Sequence, residues 1–236
     1  MRAAILAGGR GTRLAPYTTV LPKPLVPVGE RPILELILRQ LSRAGFDRVD
    51  LCVAHLGELI RAYLEQSAAV PETLAVHYHW EQEPRGTAGA IRELERCDKP
   101  MLVMNGDILT TLDYGELISF HEEQESALTI ACHSKDVKID LGVIKGETEV
   151  VTGYDEKPTL SYEVSMGIYV YSPEAVKRIP DRYFDFPDLV LALIEDGLKV
   201  CKFNFDGPWF DIGTPTEHRA ADSAYAEAPD LYEPQG

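Results

Sequence analysis

Three glycines fall within four residues, at Gly8, Gly9 and Gly11, directly after an apolar, β-favouring run, Arg2–Leu6. Arg10, Arg13 and Lys23 surround them with fixed positive charge. Glycines there let backbone N–H groups turn toward an anion, because no Cβ blocks the approach. A strand ending in a Gly-rich, basic loop is what a nucleoside triphosphate needs at the carboxyl edge of a parallel sheet. A second chemical signal is Asn105-Gly106-Asp107, which follows an apolar run at 101–104. An aspartate at a strand's carboxyl end, beside a glycine, points into a ligand crevice, and its carboxylate suits Mg²⁺ shared with phosphates. The plainer readings are a tight Gly-Gly turn and a turn aspartate. Two familiar nucleotide motifs do not fit. No Gly-x-x-x-x-Gly-Lys-[Ser/Thr] occurs, and Leu14 stands where a dinucleotide fingerprint needs its third glycine. Nor does an acid close the second strand, which ends Val53-Ala54-His55.

These groups need a sheet to hold them. Pro32 opens a helix with apolar spacing at Ile33, Leu34, Ile37, Leu38 and Leu41, closing at Gly45. A strand at 48–53, a helix at 59–64 and a strand at 74–80 follow, then a strand at 101–104, a helix at 114–123 and a strand at 127–132. That alternation indicates an α/β fold, a doubly wound, mostly parallel sheet. From Leu141 the texture changes to short β segments at 142–144, 150–152 and 166–171. A helix at 187–195, a strand at 199–205 and a helix at 215–225 complete the chain, and the acidic tail at 227–236 is expected to fray. His77 and His79 share one face of their strand, which suits a polar sheet edge better than a metal pair without a third ligand.

The 236 residues allow one large domain, and 45% apolar with 26% charged residues is a globular balance. No apolar run is long enough to span a membrane, and the first is too short for a signal peptide. A formal net charge of −15 argues against a nucleic-acid surface. Within that acidic chain, residues 1–31 carry Arg2, Arg10, Arg13, Lys23 and Arg31 against Glu30 alone. A basic pocket in an acidic protein selects a small polyanion. Cys52, Cys97, Cys132 and Cys201 are scattered, with no Cys-x-x-Cys, as expected of a reduced, cytoplasmic protein.

Leu6–Leu14 reads Leu-Ala-Gly-Gly-Arg-Gly-Thr-Arg-Leu, and residues 22–25 read Pro-Lys-Pro-Leu. Together they resemble the signature of the sugar-1-phosphate nucleotidylyltransferases, in particular the short forms acting as guanylyltransferases on mannose-type or manno-heptose sugar phosphates. The resemblance runs to about residue 225, with no hexapeptide-repeat domain after it, the single-function form. It implies a Rossmann-like nucleotidyltransferase fold over 1–226. A nucleotide-binding half would take about 1–135, and a small β-rich sugar-phosphate half 136–226. The implied reaction is NTP plus sugar 1-phosphate giving NDP-sugar plus pyrophosphate. In it Leu6, Ala7, Gly8, Gly9, Gly11 and Thr12 cradle the nucleotide, Arg13 holds the leaving phosphates, and Lys23 neutralises charge between the reacting ones. Asp107, which also touches the nucleotide, and Asp211, in Gly-x-Trp-x-Asp-Ile-Gly, are the implied Mg²⁺ ligands. Asn105, Gly142, Glu156, Lys157 and Ser165 are the implied sugar-phosphate contacts, with Ser165 standing where the family carries asparagine. A homo-oligomer is compatible with the resemblance; nucleic-acid and membrane partners are not implied.

Glu81-Gln82-Glu83-Pro84-Arg85-Gly86-Thr87-Ala88-Gly89 bears on the base. Glycine and small residues at a helix start let amides approach a flat ring, although a plain loop with a Thr cap has the same composition. The resemblance makes Gly86 and Thr87 base contacts. A carboxylate at Glu81 accepts two neighbouring donors, which guanine offers and pyrimidines do not, so GTP is the expected donor. Should Glu81 end its strand in solvent, Gln82 or Glu83 faces the base instead. Uridylyl and thymidylyl transfer, a catalytically silent nucleotide-sugar-sensing subunit and a metal-dependent glycosyltransferase are the alternatives.

Overall fold

The computed structural model describes residues 1–94 and 98–233, so Cys97 lies outside the described residues. Seven strands form the central sheet: β1 (Arg2–Leu6), β2 (Arg48–Val53), β3 (Ala75–Trp80), β4 (Met101–Asn105), β5 (Leu128–Lys138), β6 (Thr159–Tyr171) and β7 (Val200–Asn204). Their spatial order is β7-β5-β6-β4-β1-β2-β3. β1 lies between β4 and β2, parallel to both, and β3 continues parallel beyond β2. The antiparallel strand β6 joins β4 to the parallel pair β5 and β7. The expected mostly parallel α/β sheet is present.

Helices cover both faces, because successive residues of β1 face opposite ways and both sets are apolar. Ala3 and Ile5 join the core under α1 (Ile33–Arg43), whose Leu34, Ile37, Leu38 and Leu41 are buried. Ala4 faces the opposite core. There it meets residues of α2 (Gly86–Arg92) and α3 (Phe186–Glu195). No described helix is long and apolar enough to cross a membrane.

Three expectations change. The strands expected at 127–132 and 166–171 run on, so that Ser134–Lys138 of β5 pairs with 159–163 of β6 as an exposed ribbon. Charged and polar residues on both faces hid this continuation from an apolar-run reading. The β-branched 150–152 stretch forms no strand; Val143–Lys145 pairs with Gly153–Asp155, and Thr152 N–H closes that hairpin on Lys145 O at 2.8 Å. The tail does not fray over its described part. After α4 (Pro215–Glu227) a short turn, Pro229–Tyr232, buries Tyr232 to 2% exposure. Gln40 Nε2 donates to Tyr232 O at 3.1 Å, and Arg31 holds Glu233 at 2.9 Å.

An acidic, proline-containing tail looked solvated because one aromatic carries its docking. Replacing Tyr232 with alanine leaves a cavity against the main core, so Tyr232→Ala is expected to cost about 3 kcal/mol. Urea unfolding of the two proteins measures it, and an unchanged midpoint would show that this turn adds nothing.

Candidate active site

The register of β1 against β4 sets the site. Leu6 lies opposite Asn105, and Gly106 N–H donates to Leu6 O at 2.9 Å. The glycine loop and the aspartate loop therefore leave the sheet side by side at its carboxyl edge. Gly9 has open space where a Cβ would stand, which leaves its backbone approachable by a ligand. Gly11 adopts φ +59°, the left-handed region that favours glycine, and Thr18 Oγ1 donates to its carbonyl at 2.7 Å. The following 3₁₀ turn, Thr12–Leu14, buries Leu14 and leaves Arg13 exposed, its guanidinium packed over Gly213. Arg10 is exposed at the loop rim. Not all of the basic N-terminal stretch belongs here: Arg2 is bound to the buried Asp50, and Arg31 to Glu35 and Glu233.

Lys23 is fixed by what its neighbours do. Pro24 and Leu25 are buried in a second 3₁₀ turn, Lys23–Leu25, closed by Leu25 N–H to Pro22 O at 2.8 Å. Lys23 Nζ forms an ion pair with Asp107 Oδ2. Asp107 Oδ1 is buried and makes no hydrogen bond among the described residues. Asp211 reaches the same place through a two-stranded pairing of Trp209–Asp211 with Ile108–Thr110, which sets Asp211 opposite Ile108. Ile212 N–H donates to Asp107 O at 3.1 Å. Burial first, and then the neighbouring Asp107 charge, push the Asp211 carboxyl above its usual range, while Lys23 and Arg13 pull it down. Asp211 opens onto the cleft mouth, but surrounding protein atoms thin its water shell.

This donor set fits a hard cation. It offers two carboxylates, one with an orphaned oxygen and one whose ionised form the protein alone does not stabilise. Among the described residues no group of three or more His, Cys, Asp or Glu side chains could hold a metal. Mg²⁺ commonly keeps waters and phosphate oxygens in its remaining positions. His79 is occupied elsewhere, its Nε2 lying 2.7 Å from Asp50 Oδ1.

Two adjoining cavities open at this edge. The first, about 310 Å³, has Leu6, Ala7, Gly8, Gly9, Lys23 and Asp107 along one side and Glu81, Gly86 and Thr87 along another. Of the three candidates for facing the base, Glu81 lines it and Gln82 and Glu83 do not. Burial pushes the Glu81 carboxyl above the usual range, against a backbone hydrogen bond from Arg85. Gly86 takes φ +79°, and a Cβ there would sit 2.6 Å from Phe184 O. The amides after it are already spent. Thr87 N–H goes to Asp185 Oδ1 at 2.9 Å, and Ala88 and Gly89 N–H to Phe184 O at 3.1 and 2.9 Å. Thr87 therefore shapes the wall without offering its own amide to a ring.

Tyr183 and Asp185 also line this cavity, and sequence reasoning missed both. Tyr183 Oη donates to Asp185 Oδ2 at 2.7 Å. The accepted amide of Thr87, above all, holds the Asp185 carboxyl below its usual range. The Asp185–Phe186–Pro187 start of a helix was the available signal, since an N-cap aspartate is common there.

The second cavity, about 610 Å³, shares Leu6, Thr87 and Asn105 with the first and reaches Ser165, Tyr169, Phe186, Trp209 and Asp211. Asn105, Ser165 and Asp211 thus meet as expected. Gly142, Glu156 and Lys157 line neither cavity. They flank the 143–155 hairpin, where Gly142 packs under the Tyr154 ring and Tyr154 Oη donates to Glu156 at 3.0 Å. A Lys145–Asp155 ion pair at 2.6 Å braces that hairpin.

Comparison with known proteins agrees with this architecture. The chain is 30% identical over 233 residues to a UTP–glucose-1-phosphate uridylyltransferase of Synechocystis sp., covering 90% of this chain and 60% of that protein. It is 28% identical over 244 residues to a mannose-1-phosphate guanyltransferase of Debaryomyces hansenii, covering 100% and 67%. The chain thus spans about two thirds of these relatives' length or less. The crystal structure of HddC from Yersinia pseudotuberculosis superposes with a TM-score of 0.75 at 25% identity, covering 95% of this chain and 99% of that one. Residues 2–228 match the family described as nucleotidyl transferase, and the chain belongs to that family.

Proposed function

We propose that the chain transfers a nucleotidyl group from a nucleoside triphosphate to a sugar 1-phosphate, releasing pyrophosphate. The observation that carries this reading is the unpartnered, buried Asp107 Oδ1, set beside Asp211 where the two cavities meet. A phosphate oxygen of the sugar phosphate attacks the α-phosphorus, and the bond to the β-phosphate breaks with its electron pair leaving on pyrophosphate. Such chemistry needs alignment and charge neutralisation more than acid–base groups. The Gly8–Gly9–Gly11 loop, with Leu6, Ala7 and Thr12, binds the triphosphate, and Arg13 holds its leaving end. Lys23 neutralises charge between the reacting phosphates. Asp107 and Asp211 would hold Mg²⁺, which when bound neutralises phosphate charge. Asn105 and Ser165 contact the sugar; Glu156 and Lys157 join them only if their hairpin moves toward the cleft. The free thiols of Cys52, Cys132 and Cys201 suit a cytoplasmic setting.

The base reading is GTP. Glu81, ionised, accepts from both N1–H and the exocyclic amine of guanine, whereas a pyrimidine leaves an oxygen facing an oxygen. That mismatch costs about 1–3 kcal/mol when buried. HddC has been solved complexed with GMP-PN, and the Debaryomyces relative is a guanyltransferase, which supports the same choice. The Synechocystis relative, a UTP enzyme, is the counterexample that makes the test necessary.

Asp107→Asn and Asp211→Asn are each expected to lower kcat by about 10²-fold or more with Mg²⁺ while the fold persists. Pyrophosphate release and circular dichroism read the two halves of that statement. Near-normal turnover in either variant would remove the two-carboxylate site. Pyrophosphate release by the unaltered chain needs both substrates; nucleotide-sugar binding without turnover would instead indicate the silent-subunit reading.

Lys23→Ala is expected to reduce kcat more than it raises KM for the nucleotide, because its contact strengthens as charge develops. An unchanged kcat would leave Pro22-Lys23-Pro24 a structural turn.

For the base, kcat/KM should rank GTP above dTTP, UTP and CTP, and Glu81→Gln should erode that ranking more than turnover. The raised Glu81 pKa adds a pH signature. GTP preference is present above that pKa and falls as pH drops through it, at a higher pH than an ordinary glutamate would give. Glu81→Gln should flatten the profile. A pyrimidine preference in the unaltered chain would sink the guanylyl assignment.

A further inference from the structure

The second cavity does not look built for a sugar clothed only in hydroxyls. At about 610 Å³ it is nearly twice the first, about 310 Å³, yet a hexose is smaller than a nucleoside. Away from Asp211 its wall is Ile130, Tyr169, Tyr171, Phe186, Val190 and Leu191. Tyr169 and Phe186 stack with ring centroids 3.8 Å apart and nearly coplanar rings, 24° from parallel. They form one flat aromatic shelf.

The polar side chains of this wall are largely committed to one another. Ser165 Oγ donates to Tyr169 Oη at 3.2 Å and accepts Gly167 N–H at 3.3 Å. Thr87 Oγ1 donates to Asp185 at 3.3 Å and accepts Phe186 N–H at 2.8 Å. Trp209 Nε1 donates to Met166 O at 3.1 Å. What remains is Asn105 and Asp211 at the phosphate end and the Tyr171 hydroxyl at the other. A hexose brings several hydroxyls, each needing a partner once its water is displaced. Meanwhile Val190 and Leu191 stay uncovered beside the shelf, and Leu191 is 60% exposed. Covering them gains free energy only if the ligand is apolar there.

We propose that the acceptor is a sugar 1-phosphate whose ring carries an apolar substituent, an acyl or alkyl group or a deoxygenated carbon, lying on the Tyr169–Phe186 shelf against Val190. This rests on the sugar-phosphate reading above and narrows it. The phosphate enters beside Asp211 and Asn105. The hydroxyls kept on the ring meet Asn105 or solvent, and the substituent fills the apolar end.

The test is pyrophosphate release with GTP and Mg²⁺ on matched pairs: glucose 1-phosphate against its 6-deoxy and N-acetylamino analogues, and mannose 1-phosphate against N-acetylmannosamine 1-phosphate. At least one substituted member should exceed its parent about tenfold or more in kcat/KM. Val190→Phe fills the apolar end and should lower that ratio about tenfold. Val190→Gln, which adds polar groups without filling the space as fully, should lower it too, so one misfolded variant does not decide the outcome. Parents equal to or better than every analogue, with turnover intact, would overturn the apolar substituent and leave nucleotidyl transfer standing. Absence of turnover with all acceptors and all four nucleotides would overturn the sugar-phosphate reading, and this inference with it.

Discussion

Two carboxylates set side by side in a poorly hydrated cleft repel, and much of the site answers that constraint. At an effective dielectric near 20, like charges about 4 Å apart cost about 4 kcal/mol. The rise of the Asp211 carboxyl above its usual range expresses this unfavourable balance. Lys23 relieves half of it through Asp107 Oδ2, and Arg13 contributes from the other side of Gly213. The unpartnered Asp107 Oδ1 is the remainder, a cost the fold bears without a protein group to offset it. Groups left in that condition are functional candidates, because a ligand that brings positive charge recovers what folding gave up.

Holding the arrangement takes a clamp remote from the chemistry. α4 begins a few residues after Asp211, capped by Thr214. It packs onto the chain just beyond Lys23: His218 Nε2 lies 2.7 Å from Pro27 O, and Gly29 N–H donates to Asp222 at 2.8 Å. Gly29 has no room for a Cβ beneath the Tyr225 ring. One helix thus ties the strand bearing an acid to the segment bearing the lysine. Tyr232 and the Arg31–Glu233 pair press the end of that assembly against α1. The terminal turn that looked dispensable from its composition therefore belongs to the framework of the site.

What the sequence disclosed follows the range of the interactions involved. β1, β2 and the helix Tyr114–Glu123 came out with their observed bounds, since apolar periodicity and an Asp113 cap are local signals. The loops bearing Gly8, Gly9, Lys23 and Asp107 were legible because glycines and charges following strands have few other uses. Asp185 was not, because its role depends on Thr87, 98 residues earlier in the chain. The ribbon beyond His133 and 164 was hidden for a related reason. Its strands pair through backbone alone, with both faces in water, and leave no alternation to read.

The partition between the cavities links recognition to reaction. Leu6, Thr87 and Asn105 line both sides. Asp185 and Phe186 fix Thr87 through its amide and its hydroxyl, and the helix they start supplies the far wall of the second cavity. A thin wall held at both ends can set two bound phosphates in line without either ligand ordering it first. In-line transfer draws much of its rate from such prior alignment, which can be worth several kcal/mol of the barrier. The Asp185–Thr87 tie, absent from the glycine and Pro-Lys-Pro signatures, is thus as much a part of the site's geometry as the residues that face the phosphates.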